Sequence, residues 1–227
     1  MRRLAGPSSS CYRTRMPRTD GAARRARLAG LYVLVRSPEE ARAAIGGGAR
    51  VVQVRMKGAP AGEVLEASRR IVALARDRAL VVVNDRADLA LLAGADGVHL
   101  GDEDLPVAEA RRLVGPELLV GRTTRTVDEA RAALRDGADH VGYGPIFPSR
   151  TKPLAIAPRG LDGLRGVAAA LGAPVVAISG IDLSNVGDVA RAGAACAAVV
   201  EAVFGSGDPA GNAARLAAAF EAGRSAP

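Results

Sequence analysis

From residue 31 onward, short apolar and β-branched runs alternate with longer Ala-, Leu- and Arg-rich segments of helical period. The runs are "LYVLV" (31–35), "VVQVR" (51–55), "LVVVN" (80–84), "GVHL" (97–100), "LLVG" (118–121), "HVGYG" (140–144), "PVVAIS" (174–179) and "CAAVV" (196–200). Each is nearly continuous in apolar residues, the pattern of parallel strands with helices on one side and a barrel interior on the other. The intervening segments close on glycine ("LAGADG", "LRDGADH", "ARAGAAC"), which supplies the left-handed stop that returns a helix to the sheet. Eight such units predict an α/β fold, a single (β/α)8 TIM barrel; an open doubly wound sheet would not need eight strands in this length.

The chain of 227 residues fits one such barrel, and its 48% hydrophobic content, with only 3% aromatics, supplies a large aliphatic core. No apolar run reaches the length of a membrane span, so a membrane partner is not expected. The formal charge of +7 invites a nucleic-acid reading until it is located. Residues 1–27 hold eight arginines against one acidic residue, which accounts for all of it, and the remaining 23 basic and 23 acidic residues balance. The basic character therefore belongs to the leading segment and assigns the domain no nucleic-acid partner. Residues 1–27 are expected to be a disordered Arg-rich arm, residues 28–222 the barrel and residues 223–227 a short tail. Two cysteines in unrelated contexts, Cys11 and Cys196, indicate neither a disulfide framework nor a metal cluster, and make the reducing cytoplasm the default location. Whether copies of the chain associate is left open.

In barrels of this kind chemistry gathers where strands end. Here the strand ends deliver Arg55 and Lys57, then Asn84 and Asp85, then "GDEDLP" with Asp104, then "RTTRT", then "GPIFPSRTKP". Of 31 basic residues only Lys57 and Lys152 are lysine, and both fall in these loops. A flexible ammonium can follow a phosphate whose charge is moving, whereas the planar guanidinium prefers one geometry. Carboxylates beside such cations favour a divalent metal, and hard oxygen ligands favour Mg²⁺. Gly-containing turns after the last two strands, "ISGI" and "FGSGDP", suggest a second phosphate site built on backbone N–H groups.

With these residues assembled, the chain resembles the thiamine phosphate synthase family from about residue 31 to 215. "VQVRMKG", "NDRADLA", "GADGVHLGDEDLP", "GADHVGYGPIFPSRTKP", "GLDGLRGV" and "ISGIDLSNV" carry the resemblance. It implies an enzyme that joins 4-amino-2-methyl-5-hydroxymethylpyrimidine diphosphate to thiazole phosphate on a barrel with Mg²⁺, releasing diphosphate by dissociation. Carried over by position, Gln53, Arg55, Lys57, Asn84, Thr123 and Lys152 would hold the pyrimidine diphosphate. Arg55, Lys57 and Lys152 would stabilise the departing charge, and Asp85 and Asp104 would hold Mg²⁺. Ser149, Arg150, Thr151, Gly180 and the backbone at Val200 and Glu201 would take the thiazole phosphate.

Four positions depart from the family pattern. Thr123 replaces a usual Ser, Arg125 a usual His, Ser179 a usual Gly and Glu201 a usual Ser. Serine at 179 would be strained if the turn needs a positive φ. The Glu201 carboxylate is expected to turn away from a phosphate, toward Arg125, Arg150 or solvent. His99 is expected to be oriented by packing near the rim, with substrate contact as the alternative, and His140 to be structural. Two rival readings remain at this point: a related thiazole tautomerase, and a non-catalytic paralogue that only binds a phosphorylated ligand.

Overall fold

The computed structural model describes residues 21–148 and 156–226. Eight strands form it: β1 (Gly30–Val35), β2 (Val51–Val54), β3 (Leu80–Asn84), β4 (Gly97–Leu100), β5 (Leu119–Thr124), β6 (His140–Tyr143), β7 (Val175–Ile178) and β8 (Cys196–Val199). All are parallel, neighbours follow sequence order, and β8 pairs back to β1 to close the barrel. The helices are α1 (Gly21–Ala26), α2 (Pro38–Gly46), α3 (Ala61–Ala75), α4 (Ala87–Ala93), α5 (Val107–Val114), α6 (Val127–Arg135), α7 (Gly160–Ala170), α8 (Val186–Arg191), α9 (Glu201–Phe204) and α10 (Pro209–Ser225). None among the described residues is long and apolar enough to cross a membrane.

Alternation along the strands sorts the core into two layers. Outward residues such as Val33, Val52, Val81, Val98, Val120 and Val141 pack with the helices. Inward residues Tyr32, Val51, Leu80, Val82, Leu119, Val176 and Cys196 fill the barrel itself. Continuous apolar runs are thus explained, because both faces of each strand are covered. Helix starts are fixed locally. Ser37 and Thr126 accept the N–H of Glu40 and Glu129 at 3.2 and 3.1 Å, and Asp208 does the same for Gly211 at 3.0 Å.

The repeated "GAD" that ends α4 and α6 does more than stop a helix. Asp96 and Asp139 each use a carboxylate oxygen to accept a strand N–H, from Val81 at 2.8 Å and Val120 at 2.9 Å. Arginine completes both sites. Arg24 donates to Asp96 at 3.1 Å and to the Glu117 carbonyl at 2.6 Å, while Arg25 and Arg111 pair with Asp139.

Those contacts correct the expected boundary of the leading arm. Residues 21–26 are helical and not disordered, and Arg24 is only 5% exposed, because its charge is matched by Asp96 on the barrel floor. Residues 1–20 lie outside the described residues. At the other end α10 runs on to Ser225, past the expected tail boundary at residue 222. β5 extends three residues beyond Gly121, as Arg122, Thr123 and Thr124 continue the ladder with Val141, Gly142 and Tyr143.

Candidate active site

One cavity of about 530 Å³ opens at the C-terminal ends of the strands. Strand alternation aims Gln53 and Arg55 of β2 and its loop, Asn84 of β3, His99 of β4 and Thr123 of β5 into it, and the following loops add Lys57 and Asp85. Gly180, Val200 and Glu201 line the opposite wall. Nine of the expected site residues therefore meet in one place. Asp104 reaches it through contact with Asp85, and Ser149, Arg150, Thr151 and Lys152 lie outside the described residues.

Two carboxylates are held together on the cationic side. Asp85 sits at φ 65°, a left-handed conformation that Asp tolerates better than most residues, and its N–H donates to the His99 carbonyl at 2.8 Å. Asp104 is fixed by accepting the Gly101 N–H at 2.6 Å. Burial, then a hydrogen bond and charge repulsion from Asp104, push the Asp85 carboxyl above its ordinary value, while Lys57, 3.3 Å away, pulls it back. Like charges in contact with one lysine fit a divalent cation. No third acidic, His or Cys side chain completes a cluster among the described residues, so a cation here would take its other oxygens from water or substrate, as Mg²⁺ commonly does. Arg55 faces the same cavity with its guanidinium uncommitted among the described residues.

A second charge group braces the loop that carries Asp104. Asp102 pairs with Arg125 and lies 3.5 Å from Arg122, and Arg122 also donates to the Gly101 carbonyl. Gly101 is thus gripped at its N–H by Asp104 and at its C=O by Arg122. Arg125 is therefore unavailable to Glu201. The Glu201 carboxylate is exposed to solvent and folds back over Gly205, where its charge also acts on Arg36, itself held by Glu40; Arg150 lies outside the described residues.

Across the cavity, Ser179 and Gly180 both have positive φ, 77° and 68°. The serine expected to be strained at a positive φ is indeed there. Its hydroxyl donates to the Phe147 carbonyl at 3.3 Å, and Asn185 holds the turn through the Gly180 carbonyl at 3.0 Å. Leu34, Val176, Ile178 and Ile181 give the cavity an apolar wall between the charged side and this turn.

Two features were not foreseen from the residues. Tyr32, buried at the cavity floor, accepts from Gln53 Nε2 at 2.8 Å, and burial holds its phenol well above the ordinary range. Its parity in "LYVLV", one residue off the outward valines, was the available signal. His99 stands at the rim as expected, but its Nε2 lies 2.9 Å from Thr123 Oγ1, a contact with a predicted site residue that the residues alone did not indicate.

A closed barrel whose strand ends gather cations, paired carboxylates and a glycine turn around a half-apolar cavity defines an enzyme class that handles phosphorylated small molecules. The family described as "Thiamine monophosphate synthase" matches residues 33–203. A thiamine-phosphate synthase of Anaeromyxobacter dehalogenans is 73% identical over 208 residues, covering 90% of this chain and 94% of its own length. One of Myxococcus xanthus is 51% identical over 181 residues, covering 79% and 83%. Among solved structures, thiamine phosphate pyrophosphorylase from Pyrococcus furiosus superposes with a TM-score of 0.79 at 35% identity, covering 87% of this chain and 98% of that one. The chain belongs to the thiamine-phosphate synthase family, a family of transferases.

Proposed function

We propose that this cavity joins a hydroxymethylpyrimidine diphosphate to thiazole phosphate, releasing diphosphate, and that the residues named above divide the work. The observation that carries this reading is the convergence of Lys57, Arg55 and the Asp85–Asp104 pair on one side of a cavity whose far wall ends in the Ser179–Gly180 turn. That separation suits two phosphorylated substrates whose organic rings meet over the apolar middle. The reading keeps the reaction on small molecules in the cytoplasm, with no nucleic-acid or membrane partner.

Gln53 spends its amide N–H on Tyr32, which leaves its carbonyl oxygen to accept from the pyrimidine amino group. Lys57, Arg55 and Asn84 face the diphosphate. As the carbon–oxygen bond to diphosphate breaks, negative charge grows on the leaving oxygens, and cations already fixed around them stabilise that charge without reorganising. Lys152 is assigned to the same anion, and Ser149, Arg150 and Thr151 to the thiazole phosphate with Gly180 and the Val200–Glu201 backbone. Asp85 and Asp104 would hold Mg²⁺, which when bound supplies further neutralisation of the diphosphate. The thiazole nitrogen then attacks the pyrimidine methylene carbon. Holding the two rings together removes much of the entropic cost of a bimolecular step, which reaches about 7–11 kcal/mol in well-oriented systems. No protein nucleophile is needed. Cys196 is fully buried against the barrel interior, where burial pushes its thiol above its ordinary value.

The test is to mix both phosphorylated substrates with the protein and Mg²⁺, and to measure diphosphate and thiamine phosphate with and without chelator. Equal amounts of both products, lost on chelation, are expected. Binding of either substrate without release of diphosphate would defeat the reading.

A further inference from the structure

We infer that His99 is a positioning residue for Thr123, and that His140 fixes which nitrogen of His99 carries the proton. The inference rests on the reading above, in which the Thr123 hydroxyl meets the pyrimidine diphosphate. Register pairs His99 with Gly121 and Gly121 with His140, so the two imidazoles flank a residue that has no side chain. A Cβ on Gly121 would lie 2.2 Å from His140 Nε2 and 2.6 Å from His99 Nδ1. Both nitrogens thus face the same point, and the ring centroids are 5.7 Å apart. The glycine is required by this close approach: alanine would drive the rings apart. Neither His99 Nδ1 nor either nitrogen of His140 has a hydrogen-bond partner among the described residues, although all three are buried.

The remaining nitrogen, His99 Nε2, is 2.9 Å from Thr123 Oγ1. Two neutral arrangements are open to that contact. If Nε2 is bare, it accepts the Thr123 hydroxyl proton, and the threonine turns only lone pairs toward the cavity. A diphosphate oxygen would be repelled by them. If Nε2 carries the proton, it donates to Oγ1 and frees the threonine O–H to donate to the diphosphate. The second arrangement requires His99 Nδ1 to be an acceptor, and the group facing it is His140 Nε2. A relay follows in which His140 Nε2–H reaches the bare His99 Nδ1 through one bridging water, since the two nitrogens face each other without a direct hydrogen bond. His99 Nε2–H then donates to Thr123, and Thr123 to the substrate. Burial of these nitrogens away from solvent favours neutral rings, so the tautomer decides the direction of the donors.

The chain contains only two histidines, so ¹⁵N-histidine NMR of the unmodified protein reads both directly. His99 is expected as the Nε2–H tautomer with a bare Nδ1; an Nδ1–H tautomer or rapid averaging overturns the relay. Kinetics test the consequence. Thr123→Val and His99→Phe should each lower kcat/KM for the pyrimidine diphosphate about tenfold, the scale of one hydrogen bond. His99→Gln, whose amide N–H can replace Nε2–H, should recover most of the loss. In the Thr123→Val background, His99→Phe should cost nothing further. Additive losses would mean that His99 acts on the substrate by itself, and would overturn the inference. If the unmodified protein forms no thiamine phosphate, the functional reading fails. If it does and Thr123→Val has no effect, the relay alone fails.

Discussion

The two ends of the barrel differ in how completely they balance charge. On the floor, each buried charge meets its opposite. Arg24 lies against Asp96, and Asp139 is held by Arg25, Arg111 and a strand N–H. Arg111 alone donates to Asp139 and to the carbonyls of Gly115, Leu118 and Gly137. At the rim, Asp85 is pressed against Asp104, and Asp85 and Ser179 hold left-handed φ values without being glycine. Strain alone does not mark a site, since Arg76 at φ 44° merely closes α3 in a turn. Strain combined with like charges that one exposed lysine only partly offsets does, because a fold selected only for stability has no reason to keep both.

If that contrast is right, substitutions at the two ends should separate activity from stability. The largest effect is expected for Asp85→Asn, which tolerates the same left-handed φ. It should lower kcat/KM by about a hundredfold or more, the scale of losing a key charge in a preorganised site. Urea unfolding should meanwhile show little change, because losing the repulsion from Asp104 offsets losing the pair with the largely exposed Lys57. A marked loss of stability would mean that the carboxylate pair is structural. The reverse result is expected at the floor. Asp139→Ala strands two arginines and a strand N–H, and should cost about 2–3 kcal/mol, less than a fully buried pair because Arg111 is 22% exposed at its side chain. Its kcat/KM at 25 °C should stay within a factor of two.

The rim was far more legible in the sequence than the floor, for a physical reason. Rim residues follow their strands immediately, so "VQVRMKG" or "NDRADLA" places Lys57 and Asp85 once the strand is recognised. Floor contacts join residues far apart in the chain, such as Arg24 with Asp96, and no local pattern distinguishes that arginine from the others in a charged leading segment. Tyr32 with Gln53 and His99 with His140 likewise depend on strand register, which a single chain's hydrophobic pattern does not specify. Helix α9, four residues long, is too short to have a period.

Inside the barrel the comparison turns on buried titratable groups, and His140 offers the cleaner case. It is neutral in the folded state down to about pH 3, whereas in the unfolded chain it protonates near 6.5. The unfolded state thus binds the extra proton, and stability is lost as pH falls below 6.5. The contribution is about 1.4 kcal/mol per pH unit until the folded-state value is reached. Urea melts in chelator at pH 6 and pH 5 should show this slope, and His140→Leu should flatten it by about that amount. An unchanged slope would mean that His140 reaches solvent or a partner when folded.

The smallest effect, at Ser179, distinguishes inherited strain from working strain. Serine at φ 77° costs on the order of 1–2 kcal/mol relative to a residue free to adopt that region. Ser179→Gly removes the strain but adds about 0.5–1 kcal/mol of chain entropy to the unfolded state, and gives up a long 3.3 Å hydrogen bond to Phe147. The net expectation is a gain of about 0.5 kcal/mol in urea unfolding. The hydroxyl is already committed to Phe147 and so has little left to give a phosphate, which makes the expected change in KM for thiazole phosphate less than about threefold. A rise of tenfold or more, with stability gained as expected, would mean that the serine holds the turn in a shape the ligand needs. The rim's strain would then extend beyond Asp85 to both substrate sites.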